Sequence, residues 1–462
     1  MTNIRTKMCR KYLLERPKIF KEIFLRRGYF LTATVVLSFQ ILLIIGIGKC
    51  SAFAPDEESY LQIFEVLYLN SSSSILNYAG TSSWIYRIFF FPGLLLAKVG
   101  IEPIYSIRGS AIFYSQVIFA LCWNYIKLIP KTFKPPIFLV PVGLSVSSLV
   151  FLSHGLKESF IFLILALYFT SLELLQKNKL FTGGGILLIS LVLIANLKLY
   201  LYVLIIASTI LSVIFLKNRV RVKMICTVVV LSFLSVLITP SAGLDSAKNL
   251  VDKGGLRFVV GDLKLFKFDS GQIFKNDNFG ESVTLAAFRK CQKNNSVGFL
   301  EPFIMGVLPL GKVSADQSGK VSASNFYAID KPRELIVLGD LPFNLINFSL
   351  GPIPGTSGGV SYFGLLDTVL WLYFFLFMML TLFDKTRLRL VFDEITVFAI
   401  SFFFTFTLFS AAIEVNSGTS FRHRTVLFIP LLIILSRMRL QNSSTNPPKL
   451  ATFPDSPGNY NQ

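Results

Sequence analysis

Three short polar stretches carry the side chains with which this chain could do chemistry. The first is Ala54-Pro55-Asp56-Glu57-Glu58-Ser59-Tyr60, where Asp56 and Glu57 stand side by side. A carboxylate held near an acceptor hydroxyl can take its proton as a general base. Two adjacent carboxylates could also hold a divalent metal ion, although adjacency alone is weak support for one. The same residues suit a helix start, with proline first and acids in the first turn. The second stretch, Ser153-His154-Gly155-Leu156-Lys157-Glu158-Ser159, joins two apolar runs. Its plain reading is a solvated turn capped by Ser153; its functional reading is a cation, Lys157, kept beside a span together with His154 and Glu158. The third runs from Glu414 through Asn416 to Arg422-His423-Arg424. Guanidinium matches phosphate oxygens in a two-pronged fork, so this stretch reads as a phosphate clamp. The alternative is snorkelling of its cations to lipid head groups. Arg108, Lys198 and Asp367 interrupt apolar surroundings singly, and charges at membrane depth are functional candidates.

These residues must be positioned by helices in a bilayer. Hydrophobic residues make up 53% of the 462 positions, charged ones 15%, and mean hydropathy is +0.62. Soluble domains carry about 25% charged residues, so the composition points to a membrane domain. The net charge of +19 does not mark a nucleic-acid binder, because the excess sits in short segments between apolar runs. Residues 1–28 are dense in lysine and arginine, and smaller clusters follow at Lys127/Lys131/Lys134, Lys177/Lys179, Lys217/Arg219/Arg221/Lys223 and Lys385/Arg387/Arg389. Cationic loops stay cytoplasmic.

Apolar runs long enough for a span, about 20 residues, lie at 29–48, 106–126, 136–152, 158–176, 224–240, 364–383, 395–413 and, with polar flanks, 425–436. The run at 29–48 reads as a retained helix and not a cleaved leader. As one helix, 183–216 would extend about 51 Å, so it reads as two short spans meeting at Lys198. The segment 84–100 holds Arg87, Lys98 and Pro92-Gly93. Reading it as an interfacial helix, not a span, keeps every short basic cluster inside. The expected fold is an all-α integral membrane protein of about ten transmembrane helices, with a long non-cytoplasmic loop and both termini cytoplasmic. Its parts are a basic N-terminus (1–28), a transmembrane region (29–240) with a first outer loop at 49–105, a large outer loop (241–362), C-terminal transmembrane helices (363–436) and a cytoplasmic tail (437–462). Short helices are expected near 281–293 and 332–348. The tail 441–462 is polar and aperiodic, the composition of a disordered segment. The cysteines at 9, 50, 122, 226 and 291 lack metal-ligand spacing. A Cys50–Cys291 bridge is open to the chain, but separate thiols are the expectation.

With the acids in the first outer loop, the interfacial 84–100 segment, Arg108 at the start of the second span and Glu158 in a later turn, the chain resembles the GT-C class of membrane glycosyltransferases. The stretches SLGPIP (349–354) and NSGTSFRHR (416–424) resemble those of bacterial membrane proteins of surface-polysaccharide assembly. The acidic motif departs from that class in being a PDEE run, and no soluble C-terminal domain follows the last span. The resemblance implies inverting transfer of a sugar from a polyprenyl-phosphate donor to a saccharide or lipid-linked acceptor at the outer face of the plasma (inner) membrane. It casts Asp56 or Glu57 as base, and Arg422, His423, Arg424, Lys157 and Arg108 as ligands of the donor phosphate. Glu158, His154, Lys198 and Asn416 support them. The expected partners are membrane lipid, the lipid-linked donor and the acceptor, with no nucleic acid. Two rivals remain at this stage. An O-antigen-type polymerase would use the same cations on a lipid pyrophosphate without an acidic base. A flippase would need charges lining a path through the bilayer.

The topology has a direct check. Single cysteines introduced near positions 290 and 418 should react with an impermeant maleimide on intact cells, whereas those near 130 and 180 should not. Outside labelling at 130 and 180 would make 84–100 a span.

Overall fold

The computed structural model of the chain describes residues 27–50, 55–69, 83–128, 152–155, 157–215, 222–238, 257–260, 263–264, 286–288, 290–291, 335–337, 341–350, 368–369, 371–373, 388–390, 393–413 and 423–440. The expected spans at 136–152 and 364–383 fall largely outside the described residues, as do Asn416, Arg422, Asp367, the tail 441–462 and most of the segment 241–362.

Long unbroken runs of Leu, Ile, Val and Phe make helices here because each helix satisfies its own backbone, the condition for crossing lipid. In chain order these are α1 (Arg27–Ile47), α2 (Pro55–Tyr68), α3 (Ser83–Lys98), α4 (Pro103–Leu128), α5 (Glu158–Gln176), α6 (Leu180–Leu197), α7 (Leu199–Phe215), α8 (Val222–Ile238), α9 (Leu341–Leu350), α10 (Glu394–Ile413) and α11 (Phe428–Ser436). Among the described residues, five are long and apolar enough to cross a membrane: Tyr29–Ile47, Pro103–Ile126, Glu158–Gln176, Leu180–Leu197 and Glu394–Ala412. Shorter apolar helices cover Tyr200–Ser212, Cys226–Ser235 and Thr425–Ser436. Among the described residues strands are few and short. β1 (Arg257–Val260) pairs with β2 (Leu263–Lys264) and β3 (Leu335–Val337), and β4 (Leu388–Leu390) pairs with β5 (Met438–Leu440).

Contacts between helix termini sort the bundle into two ends. At one end, the start of α5 meets the α6–α7 junction, where Glu158 lies 3.8 Å from Lys198. Lys198 in turn approaches His423, just before α11. At the other end, Arg437 after α11 bonds Glu173 of α5 at 3.0 Å and approaches Asp393, just before α10, at 3.5 Å. Gln176 donates to Glu394 there at 2.8 Å, and Asp393 caps α10 by accepting from the Thr396 amide. Between the ends, isolated polar pairs tie apolar helices together: Gln40 to Ser115 (α1–α4), Tyr202 to the Ser232 carbonyl (α7–α8) and Ser208 to Thr405 (α7–α10). Such pairs join helices where lipid and side chains are equally apolar.

The helix α3 is short, about 24 Å at 1.5 Å per residue, against a hydrocarbon core of about 30 Å. It buries Ile85, Tyr86, Phe89 and Phe90 and exposes Ile88, Phe91 and Leu95 beside Arg87. One face of α3 is thus packed against its neighbours and the other is left uncovered. Its interior Pro92 offers no amide hydrogen, and the next amide, Gly93, donates to the Ser110 hydroxyl of α4 at 2.8 Å. The two helices pass so closely that a Cβ at position 93 would strike the Ser106 carbonyl and the Ser110 hydroxyl.

Three expectations change. The region expected as a helix over 332–348 is a strand at Leu335–Val337 and a helix only from Leu341. Its β-branched Ile336 and Val337 take places beside β1. The turn after Ser153 is not solvated: Ser153, His154, Lys157, Glu158 and Ser159 are all buried. Nor does Ser153 cap the following helix, since Lys157 occupies that position without a side-chain bond. Finally, Cys50 and Cys291 form a disulfide instead of remaining separate thiols, while Cys122 and Cys226 are free.

The close α3–α4 crossing predicts a contrast between two glycines. Gly93→Ala should lower unfolding free energy by about 1–3 kcal/mol, because backbone must move to admit the methyl group. Gly185 faces open space, and Gly185→Ala should fall within about 0.5 kcal/mol of wild type. Denaturation of the detergent-solubilised protein measures both.

Candidate functional site

The site begins where α1 ends. Gly48 adopts a φ of 84°, a left-handed turn that glycine makes without steric cost. The turn leaves its carbonyl facing α4, where it accepts from Arg108 Nη1 at 2.7 Å. The remaining prongs of Arg108 hold Glu57: Nε to Oε1 at 2.9 Å and Nη2 to Oε2 at 3.1 Å. Both side chains are fully buried. Glu57 Oε1 also accepts from the Gly155 amide at 3.3 Å. Position 155 must be small, because a Cβ there would run into Ile107 beside Arg108. Residues at the end of α1, in α2, in α4 and at Gly155 thus meet at one ion pair. Desolvating two charges is expensive, and the two-pronged geometry with added backbone bonds offsets that cost.

The chain then enters α5, whose Phe160 and Ile161 amides bond the Lys157 carbonyl. Glu158 then faces Lys198. The helix α6 stops at Leu197, Lys198 is extended (φ −151°, ψ 98°), and α7 starts at once. This one-residue break is where the sequence places Lys198, and it sets the ammonium at the site end with its side chain 12% exposed. Lys198 Nζ donates to the Tyr200 hydroxyl at 3.2 Å. His423 Nε2 lies 3.4 Å from both Lys198 Nζ and Tyr200 Oη. The Tyr200 ring stacks on Phe409 of α10.

Arg424 completes the layer and is 2% exposed. Its Nη1 donates to the Ser349 carbonyl of α9 at 3.0 Å, and its guanidinium lies over the Trp371 ring. Trp371 stacks on Phe428 at the head of α11. Arg424 therefore anchors α9 to the last helix.

Of the residues singled out in the sequence, Glu57, Arg108, His154, Lys157, Glu158, Lys198, His423 and Arg424 come to one end of the bundle. Asp56 sits in the first turn of α2; Arg422 and Asn416 lie outside the described residues. The gathered basic side chains differ in surroundings. Arg108 is engaged with Glu57 and Gly48, and Arg424 with Ser349 and Trp371, whereas Lys198 and His423 stand at the less buried rim. The Glu57 oxygens already accept from Arg108 and Gly155, which fits a metal ligand poorly. Among the described residues no group of three or more His, Cys, Asp or Glu could hold a metal ion.

Sequence reasoning missed Gly48, Gly155, Tyr200, Ser349 and Trp371. Tyr200 alone left a trace, as a polar-tipped ring two residues past Lys198 in an apolar run. The backbone partners left none, because a carbonyl or amide has no letter of its own.

Comparison of the chain with known protein families, with curated proteins and with solved structures finds no match.

The buried pair predicts a non-additive pair of variants. Arg108→Met strands the Glu57 charge and should cost about 3–5 kcal/mol of unfolding free energy. Adding Glu57→Met should recover part of that loss. Simple addition of the two single losses in chemical denaturation would show that the residues are not coupled.

Proposed function

We propose that this chain is a membrane glycosyltransferase that moves a sugar from a lipid-phosphate-linked donor to an acceptor hydroxyl at the outer face, in surface polysaccharide or glycoconjugate synthesis. One observation carries the reading: polar residues from six separate parts of an apolar helical chain converge at a single end of the bundle, with the ammonium of Lys198 and the imidazole of His423 at its rim. Such a rim suits a substrate whose phosphate sits at the membrane surface and whose hydrocarbon tail runs along apolar helices.

Two features favour the outer face. The basic loop Lys177/Lys179 joins α5 to α6 at the opposite end of the bundle, and cationic loops favour the cytoplasm. The Cys50–Cys291 disulfide belongs to an oxidising compartment. Nucleotide sugars are cytoplasmic, so a site facing outward calls for a donor already carried across on lipid.

In the proposed reaction the acceptor oxygen attacks the anomeric carbon from the face opposite the phosphate. The C–O bond to the lipid phosphate breaks and the anomeric configuration inverts. Asp56 takes the acceptor proton. Glu57, held by Arg108, orients the first turn of α2 and with it Asp56. Lys198, His423, Lys157 and Arg422 are assigned the stabilisation of the negative charge that grows on the departing phosphate, a task of the oxyanion-hole type. Arg424 fixes the chain beside them.

A second reading, an O-antigen-type polymerase acting on a lipid pyrophosphate, is favoured by the engagement of Glu57 with Arg108, which occupies one of the two candidate bases. The acids and arginines separate the two readings. With a radiolabelled polyprenyl-phosphate sugar, Asp56→Asn should lower transfer by about 10²–10⁴-fold at normal expression. Arg422→Lys should lose most activity as well, since lysine keeps the charge and loses the fork. Full activity in Asp56→Asn together with loss in Arg422→Lys would favour the polymerase.

A further inference from the structure

We infer that Lys198 and Tyr200 act as positioning residues that hold His423 in the tautomer protonated at Nδ1, so that its donor edge, and not a cationic ring, is what meets a substrate phosphate. The consequence for phosphate rests on the function proposed above; the tautomer does not.

A lysine ammonium has three hydrogens to donate and no lone pair. Its approach to His423 Nε2 at 3.4 Å is therefore attractive only when Nε2 carries the lone pair. An Nε2–H would set one donor against another, and a doubly protonated ring would set cation against cation. The Tyr200 hydroxyl points the same way. Its oxygen accepts from Lys198 at 3.2 Å, which turns its own hydrogen outward, and His423 Nε2 lies 3.4 Å from it. An Nε2 lone pair lets both donors bond the same nitrogen.

The framework around them is fixed by other contacts. The helix break places Lys198 and Tyr200 two residues apart across the α6–α7 junction. Stacking on Phe409 holds the Tyr200 ring, and Glu158 stands by the ammonium at 3.8 Å. On the His423 side, neighbouring Arg424 is tied to Ser349 and packed over Trp371. A histidine oriented through one nitrogen presents a defined proton at the other, the arrangement by which second partners set a catalytic imidazole. The chemistry it recognises is an anionic oxygen of a phosphate ester, met by Nδ1–H, with the Lys198 charge beside it.

The chain has only two histidines, His154 and His423, so a spectrum of the full-length protein labelled with ¹⁵N-histidine contains two imidazoles. His423→Gln identifies the one that matters. At neutral pH its Nδ1 should carry the proton and its Nε2 should show the shift of an unprotonated nitrogen accepting a hydrogen bond. Tyr200→Phe should move that Nε2 resonance and lower turnover of a polyprenyl-phosphate sugar about 3–10-fold, the range for one hydrogen bond, with KM little changed. Titration with inorganic phosphate and with a short-chain polyprenyl phosphate should perturb Nδ1 first; a response to the lipid alone assigns the site to a lipid-borne phosphate, and a response to both assigns it to the phosphate group itself. An Nε2–H or doubly protonated His423 in the wild type would overturn the inference. So would a Tyr200→Phe spectrum identical to wild type. The expected tautomer in a protein that transfers no sugar would instead remove the proposed function and leave the positioning intact.

Discussion

A guanidinium and a carboxylate buried together between apolar helices must satisfy each other, and that constraint organises this molecule. Arg108 has prongs for both oxygens of Glu57 and a further one for the Gly48 carbonyl. To meet it, α1 must end where it does, α2 must begin with Glu57 turned inward, and the turn before α5 must bring its Gly155 amide to the same carboxylate. Each partner lies on a different element, so the pair acts as a keystone. The glycines at 48 and 155 are what let backbone come that close.

From that joint the polar layer extends sideways through the chain itself. The turn that bonds Glu57 at Gly155 carries Glu158 three residues later, and Glu158 faces the lysine at the helix break. Lys198 reaches His423, whose neighbour Arg424 gathers α9. The opposite end is closed by a separate group, in which Arg437 meets Glu173 and Asp393. Among the described residues, the buried ion pairs thus fall into two groups at opposite ends of α5, with apolar helix between them, in keeping with the cost of burying ions in lipid.

How much of this could be read beforehand follows from which interactions have a sequence period. Apolar runs are self-announcing, so the helices at 29–47, 158–176 and 394–412 were visible at close to their observed limits. The break at Lys198 was visible as well, because a single helix over 183–216 would be too long for the bilayer. The short strand at Leu335–Val337 was not, since three residues carry no usable period and its partner lies at Arg257–Val259. Among site residues, Arg108, Lys198 and His423 stood out as charges or imidazole in apolar surroundings. Their pairing did not. That Glu57 belongs to Arg108, or Tyr200 to His423, depends on contacts between distant helices that local spacing does not encode.

The bridge between Cys50 and Cys291 sets an order on how the molecule comes into being. Its two halves are separated by 241 residues, and a ribosome adding about 5–20 residues per second takes roughly 12–48 s to pass from one to the other. Throughout that interval the earlier thiol, two residues from the glycine that Arg108 grips, has no native mate. Thiols at 9, 122 and 226 are all made before the correct one. Burial of Cys122 within α4 withdraws one competitor, so early packing of that helix guards the fidelity of a bond that closes only much later in biogenesis.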